Sequence, residues 1–268
     1  MSSTHIEIST PHEIPRYNAE SVFQCPSRYG KEWISEFIGM YLFITLSLGN
    51  IAIFVLYPES KMTWDGVSLA WGFNLTLGIY LASFNSQAHL NPCVSLCMFL
   101  FEPGFSFARV CLYTSAQLVG AFTAAGTVYG IYYNAIMLAG KNQVTASIFS
   151  PYPVSQLTTV SAIFNEFIGT ALLVGGIFAL IKHTETSKHL PIYVGVLLSA
   201  ITYSFGFQTG FALNPARFLG PMMFTAMVGF ESFSYGNYYF WMALLGQFTG
   251  AIFGVLVFIF FIKNQISD

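Results

Sequence analysis

The chain has 268 residues, of which 54% are hydrophobic, 18% aromatic and only 8% charged, with a formal net charge of -2. Soluble domains carry about a quarter charged residues, so this composition excludes an ordinary soluble domain and points to a membrane protein. No basic run suggests nucleic acid, and no phosphate loop, nucleophile paired with a base or metal-ligand spacing suggests an enzyme, a metal or a cofactor.

Residues 1–30 are polar and contain Pro11, Pro15 and Pro26, which predicts a disordered tail and no signal peptide. The first predicted span covers roughly 33 to 57 and opens with Ser35-Glu36-Phe37-Ile38-Gly39; the second covers roughly 66 to 84. Asn74-Leu75-Thr76 matches a glycosylation pattern but falls inside the second span, where no glycan can be attached. Next comes His89-Leu90-Asn91-Pro92-Cys93, followed by an apolar stretch near 91 to 101 that is too short to span. Asn caps a helix and Pro starts one, because the capping side chain accepts from a free backbone N–H while Pro has none to satisfy.

The third span, roughly 106 to 133, contains Ala116-Gln117-Leu118-Val119-Gly120-Ala121. The fourth, roughly 159 to 181, contains Asn165-Glu166-Phe167-Ile168-Gly169-Thr170, and the fifth covers roughly 190 to 208. A second helix start, Ala212-Leu213-Asn214-Pro215-Ala216-Arg217, opens another short apolar stretch near 214 to 228, and a sixth span, roughly 238 to 262, precedes a short tail at 264–268. Arg16, Arg28, Lys31, Arg109, Lys182, Lys188 and Lys263 fall on one side of these spans and only Lys61 and Lys141 on the other, which predicts cytoplasmic termini. Cys25, Cys93, Cys97 and Cys111 imply no disulfide framework.

The halves repeat. Glu36-Phe37-Ile38-Gly39 recurs 130 residues later as Glu166-Phe167-Ile168-Gly169, and Gly120-Ala121 recurs at the same offset as Gly250-Ala251, while the Asn-Pro steps recur at 123. Three spans in each half oblige the second copy to enter the membrane from the opposite side, so the expected fold is all-α: six transmembrane helices plus two re-entrant half helices in an inverted 3+3 repeat. The channel domain is expected at 31–263, with repeat one at about 31–133 and repeat two at about 159–263. Short apolar segments at matching places of inverted repeats mark a substrate path, with Asn91 and Asn214 facing each other.

These motifs, over about residues 31 to 263, resemble the major intrinsic proteins, the aquaporin and glycerol facilitator family, and in particular the aquaglyceroporin branch. The resemblance implies a passive channel and usually a homotetramer with one pore per subunit. Around its central constriction stand Asn91, Pro92 and Cys93 with Asn214, Pro215 and Ala216, Cys93 replacing the usual Ala and Gln87 standing where a Gly normally precedes Ala-His. Motif alignment places the family's selectivity filter at Trp71, Thr202, Phe211 and Arg217. Arg217 stands three residues after Asn214 at a helix N-terminus, where the dipole disfavours a cation; Val94 is its first-half counterpart. Trp71 and Phe211 would make an apolar corner opposite the Arg217 donors, which suits an alkyl chain with hydroxyls along one side.

The branch usually has Asp directly after this Arg and a basic residue shortly beyond; here stand Phe218 and Met222. Glu36, Glu166, His89 and Gln117 read as loop supports, the carboxylates accepting backbone N–H groups of the re-entrant loops. The expected activity is conduction of glycerol and water, with protons and ions excluded, in a multi-pass plasma-membrane protein whose partners are small neutral solutes and the bilayer. A water channel with little glycerol flow, one tuned to urea, ammonia or hydrogen peroxide, and a proton-coupled transporter using Glu36 or Glu166 are the competing readings.

Overall fold

The structure is a computed structural model that describes residues 27–183 and 189–261. Most of the expected N-terminal tail, Arg16, Cys25, Lys188, Lys263 and the 264–268 tail therefore lie outside the described residues. The chain begins with α1 (Arg28–Leu56), whose N-terminus is capped by the Ser27 side chain accepting from the Gly30 N–H. This start precedes the expected end of the tail by a few residues, because Ser27 supplies the cap that residues 28–30 need.

A 3-10 turn at Pro58–Ser60 leads to α2 (Trp64–Ala82), then a loop, the half helix α3 (Pro92–Phe101) and α4 (Phe107–Ile131). Two short helices unannounced by the sequence, α5 (Tyr133–Ala139) and α6 (Gln143–Ala146), bridge the halves. The second half runs through α7 (Thr159–Lys182), α8 (Leu190–Thr209), the half helix α9 (Pro215–Met227) and α10 (Tyr235–Phe261). No strand occurs among the described residues.

By length and composition alone, α1, α7, α8 and α10 are apolar enough to cross a membrane. The other two long helices carry more polar side chains. In α2, Asn74 is buried and donates to Asn50 Oδ1 of α1 at 2.9 Å; in α4, Gln117 is fully buried. Polar groups are tolerated at such depth because they are satisfied against a neighbouring helix instead of facing lipid.

The duplication is visible in the packing. α1 lies against α4, and α7 against α10 in the same manner. At these crossings a Cβ on Gly120 would stand 2.7 Å from Phe37 O, and one on Gly250 would stand 2.1 Å from Phe167 O, so both contacts need a hydrogen side chain. The halves join where α2 crosses α8: a Cβ on Gly72 would meet Gly195 O at 2.3 Å, and one on Gly195 would meet Gly72 O at 2.5 Å. Gly72 and Gly195 are separated by 123 residues, the offset of the Asn-Pro steps, so this crossing is the two-fold contact of the repeats.

On the side carrying α5 and α6, the connection folds over the second half. The Tyr152 hydroxyl donates to Ser232 O at 3.1 Å, and burial pushes its phenol up, so it remains a neutral donor.

Candidate functional site: a passage between two re-entrant loops

Both half helices begin as Asn-Pro predicts. Asn91 Oδ1 accepts from Cys93 N at 2.9 Å, and Asn214 Oδ1 accepts from Ala216 N at 3.0 Å and Arg217 N at 3.2 Å. The amide nitrogens reach across to the opposite loop: Asn91 Nδ2 donates to Leu213 O at 3.0 Å and Asn214 Nδ2 to Leu90 O at 2.6 Å. These reciprocal bonds set the two helix N-termini against each other. Each amide has two hydrogens, and the crossed bond uses one of them.

The loops before the caps have an unusual backbone. Ala88 and Leu90 have φ of 52° and 47°; their counterparts Phe211 and Leu213 both have 45°. Left-handed conformations at non-glycine residues cost of order 1–3 kcal/mol each and persist only where the surroundings over-determine them. Here two buried carboxylates do so. Glu36 Oε1 accepts from His89 N and Ser86 Oγ at 2.9 and 2.8 Å, and Oε2 accepts from Leu90 N and Gln117 Nε2 at 2.9 and 2.7 Å. Glu166 Oε1 accepts from Ala212 N, Thr209 Oγ1 and Tyr239 OH at 3.1, 2.6 and 2.8 Å, and Oε2 accepts from Leu213 N at 2.9 Å.

With those N–H groups turned to the carboxylates, each loop keeps a fixed shape. The two loops match in φ although Gln87 replaces the usual small residue in the first. The imidazole of His89 is anchored at both nitrogens, to Ser95 Oγ at 3.0 Å and Gln87 Oε1 at 3.1 Å, between the rings of Phe105 and Tyr113.

A narrow cavity of about 80 Å³ runs between the loops. Asn91, Asn214 and Arg217 line it together with Trp71, Phe211 and Phe43; Leu198, Val194, Leu173, Ile177 and Val94 continue its apolar wall. The ring centroids of Trp71 and Phe211 are 4.8 Å apart at 88°, and Phe43 stands edge-on to Trp71 at 5.6 Å. The Arg217 guanidinium carbon lies 4.5 Å from the Trp71 ring centroid and 5.1 Å from that of Phe211. One nitrogen, Nη2, donates to Gly210 O at 3.2 Å, while Nε and Nη1 are buried with no partner among the described residues. Unpartnered buried donors are costly, and both belong to a guanidinium that lines the cavity.

Several predicted residues sit elsewhere. Pro92, Cys93, Pro215 and Ala216 are buried but not among the residues lining the cavity. Cys93 packs with Cys97, Val174, Phe178 and Ala251, so the thiol lies behind the passage and Val94 takes the wall. Thr202 is fully buried, has no partner for Oγ1 among the described residues and is not among the residues lining the cavity; Leu198, one turn earlier on α8, is. The Phe211 ring takes that face of α8, only 2.8 Å from where a Cβ on Gly206 would stand.

Phe218, in the place of the expected Asp, is fully buried with its ring 6.2 Å from that of Tyr239, and its carbonyl accepts from Ser150 Oγ at 3.1 Å. Phe43, Leu198 and Tyr239 escaped the sequence reading. A repeat comparison can find neither Phe43 nor Leu198, since aromatic and aliphatic residues fill every span.

The comparisons agree with this geometry. The family model described as Major intrinsic protein matches residues 25–258. The chain is 36% identical over 253 residues to human Aquaporin-9, covering 88% of this chain and 84% of that protein. It is 34% identical over 245 residues to Aquaglyceroporin-3 of Trypanosoma brucei brucei, covering 87% and 79%. The crystal structure of the aquaglyceroporin from Plasmodium falciparum superimposes with a TM-score of 0.77 at 26% identity, covering 90% of this chain and all of that one. The chain therefore belongs to the major intrinsic proteins, a family of multi-pass membrane channels and not of enzymes, and within it to the aquaglyceroporins.

Proposed function

We propose that the passage between the two loops is the conduction path of a passive channel for glycerol and water, with selection made where Arg217 faces Trp71 and Phe211. The observation that carries this reading is the division of the wall. Arg217 offers two unpartnered donors beside Asn91 and Asn214, and the opposing wall is aromatic and aliphatic. A polyol presents hydroxyls along one edge and C–H groups along the other, so it satisfies both walls at once.

Water also fits, using the donors alone. A cation meets two half-helix N-termini, each equivalent to roughly half a positive charge, and a guanidinium besides, while losing its hydration shell. A central water whose oxygen accepts from both Asn amides cannot also pass a proton along a donor chain. The carboxylates of Glu36 and Glu166 each accept four hydrogen bonds, two of them from backbone N–H groups of the adjoining loop, which supports a bracing role over proton coupling.

The chain is read as a homotetramer with one pore per subunit, in the plasma membrane, with both termini cytoplasmic. Stopped-flow light scattering on proteoliposomes tests the conduction reading. Vesicles should shrink fast in a sucrose gradient, and in a glycerol gradient should shrink and then reswell. Shrinkage without reswelling would make this a water channel and sink the glycerol assignment; stimulation of solute uptake by a proton gradient would restore the transporter reading.

A further inference from the structure

We propose that Tyr239 is a positioning residue for the second re-entrant loop and, through it, for Arg217; the proposal rests on the reading of Arg217 as part of the selective constriction. The argument comes from a break in the duplication. In the first repeat the carboxylate that braces the loop is completed by an amide on the third helix, Gln117 Nε2 to Glu36 Oε2 at 2.7 Å. The residue 130 positions later is Gln247, also on the third helix of its repeat and fully buried. Yet neither its Nε2 nor its Oε1 has a partner among the described residues.

The place of that amide is taken by a hydroxyl. Tyr239, fully buried, donates to Glu166 Oε1 at 2.8 Å. Its own counterpart 130 positions earlier is Arg109, which pairs with Glu32 and makes no bond to Glu36. Tyr239 thus has no equivalent in the first repeat, and the second loop is braced by a different residue from a different helical turn.

The backbone makes room for this. Gly236, Asn237 and Tyr238 have φ of 65°, 57° and 59°, a left-handed turn set against Pro153, before α10 continues right-handed from Tyr239. Gly and Asn enter that region readily, but Tyr238 does not, so the turn is strained and ends where the Tyr239 ring enters the core. There the ring meets Phe218, the residue after Arg217, while the hydroxyl meets Glu166. Tyr239 therefore touches one end of the segment that shapes the constriction directly, at Phe218, and reaches the other through Glu166. Glu166 also takes the hydroxyl of Thr209 and the N–H of Ala212, and the carbonyl between them, Gly210 O, holds Arg217 Nη2.

The test is Tyr239→Phe, which removes one oxygen and keeps the ring in its seat, alongside Gln247→Met and Arg217→Val, all in proteoliposomes normalised to folded protein. The readout is the ratio of glycerol to water permeability, which a change in protein yield does not move. Tyr239→Phe should shift this ratio by at least about threefold, since a lost hydrogen bond to a carboxylate is worth that or more. It should also speed hydrogen exchange in residues 209–213 and leave residues 87–91 unchanged. Gln247→Met should match the unaltered channel. An unchanged ratio in Tyr239→Phe with a changed one in Arg217→Val overturns the role of Tyr239 alone, as does an equal shift in Gln247→Met. An unchanged ratio in Arg217→Val overturns the constriction on which the proposal stands.

Discussion

In the proposed function, exclusion of charge turns on Arg217. Its guanidinium is pinned by one bond to Gly210 O and by two aromatic faces, so it stays in the passage instead of reaching for solvent. Arg217→Val removes the local charge and widens the passage. Proton or ammonium leak, followed with a pH-sensitive dye trapped in vesicles, should rise at least about tenfold, as expected when a desolvated charge barrier of about 1.4 kcal/mol or more is lost. Glu36 carries a different load. Glu36→Leu leaves the N–H groups of His89 and Leu90 and the Gln117 amide without their acceptor, at about 1–3 kcal/mol each. Thermal unfolding in detergent should show a large fall in midpoint, and little folded channel should be recovered; a melting curve like that of the unaltered protein would rule the bracing role out.

At the scale of helices, the tolerances are set by glycine. The α2–α8 crossing brings Gly72 and Gly195 so close that a Cβ at 72 would stand 2.0 Å from Ser199 Oγ. Gly72→Val should force the helices apart and break the contact that joins the halves, at a cost of several kcal/mol beyond ordinary overpacking. Size-exclusion profiles after solubilisation should show aggregate in place of a single peak. The half helices were legible in advance because Asn-Pro is local chemistry: a cap and a residue with no N–H to satisfy. The short helices α5 and α6 were not, since four to seven residues carry too little periodicity to register. Nor was the left-handed turn at 236–238, whose Tyr238 has no local reason to adopt that conformation.

For the molecule as a whole, the distribution of Lys and Arg predicts orientation. In a background without Cys25 and the exposed Cys111, a cysteine placed at Lys61 should react with an impermeant maleimide on intact cells, and one at Arg28 only after permeabilisation. The reverse pattern would invert the topology. Composition and repetition were enough to establish a membrane channel built of two inverted copies, because apolar length and recurring motifs are properties of the chain written in order. Repetition singled out Asn91 and Asn214, and the resemblance to the family's motifs pointed to Trp71, Phe211 and Arg217; the fold brings all five to one cavity. What needed the folded chain was the difference between lining a passage and standing behind it. Leu198 and Val94 line the cavity while Thr202 and Cys93 stand behind its wall, and Tyr239, not Gln247, bonds the second carboxylate. Which way a side chain faces among closely packed helices depends on neighbours more than a hundred residues away, and no local pattern encodes that.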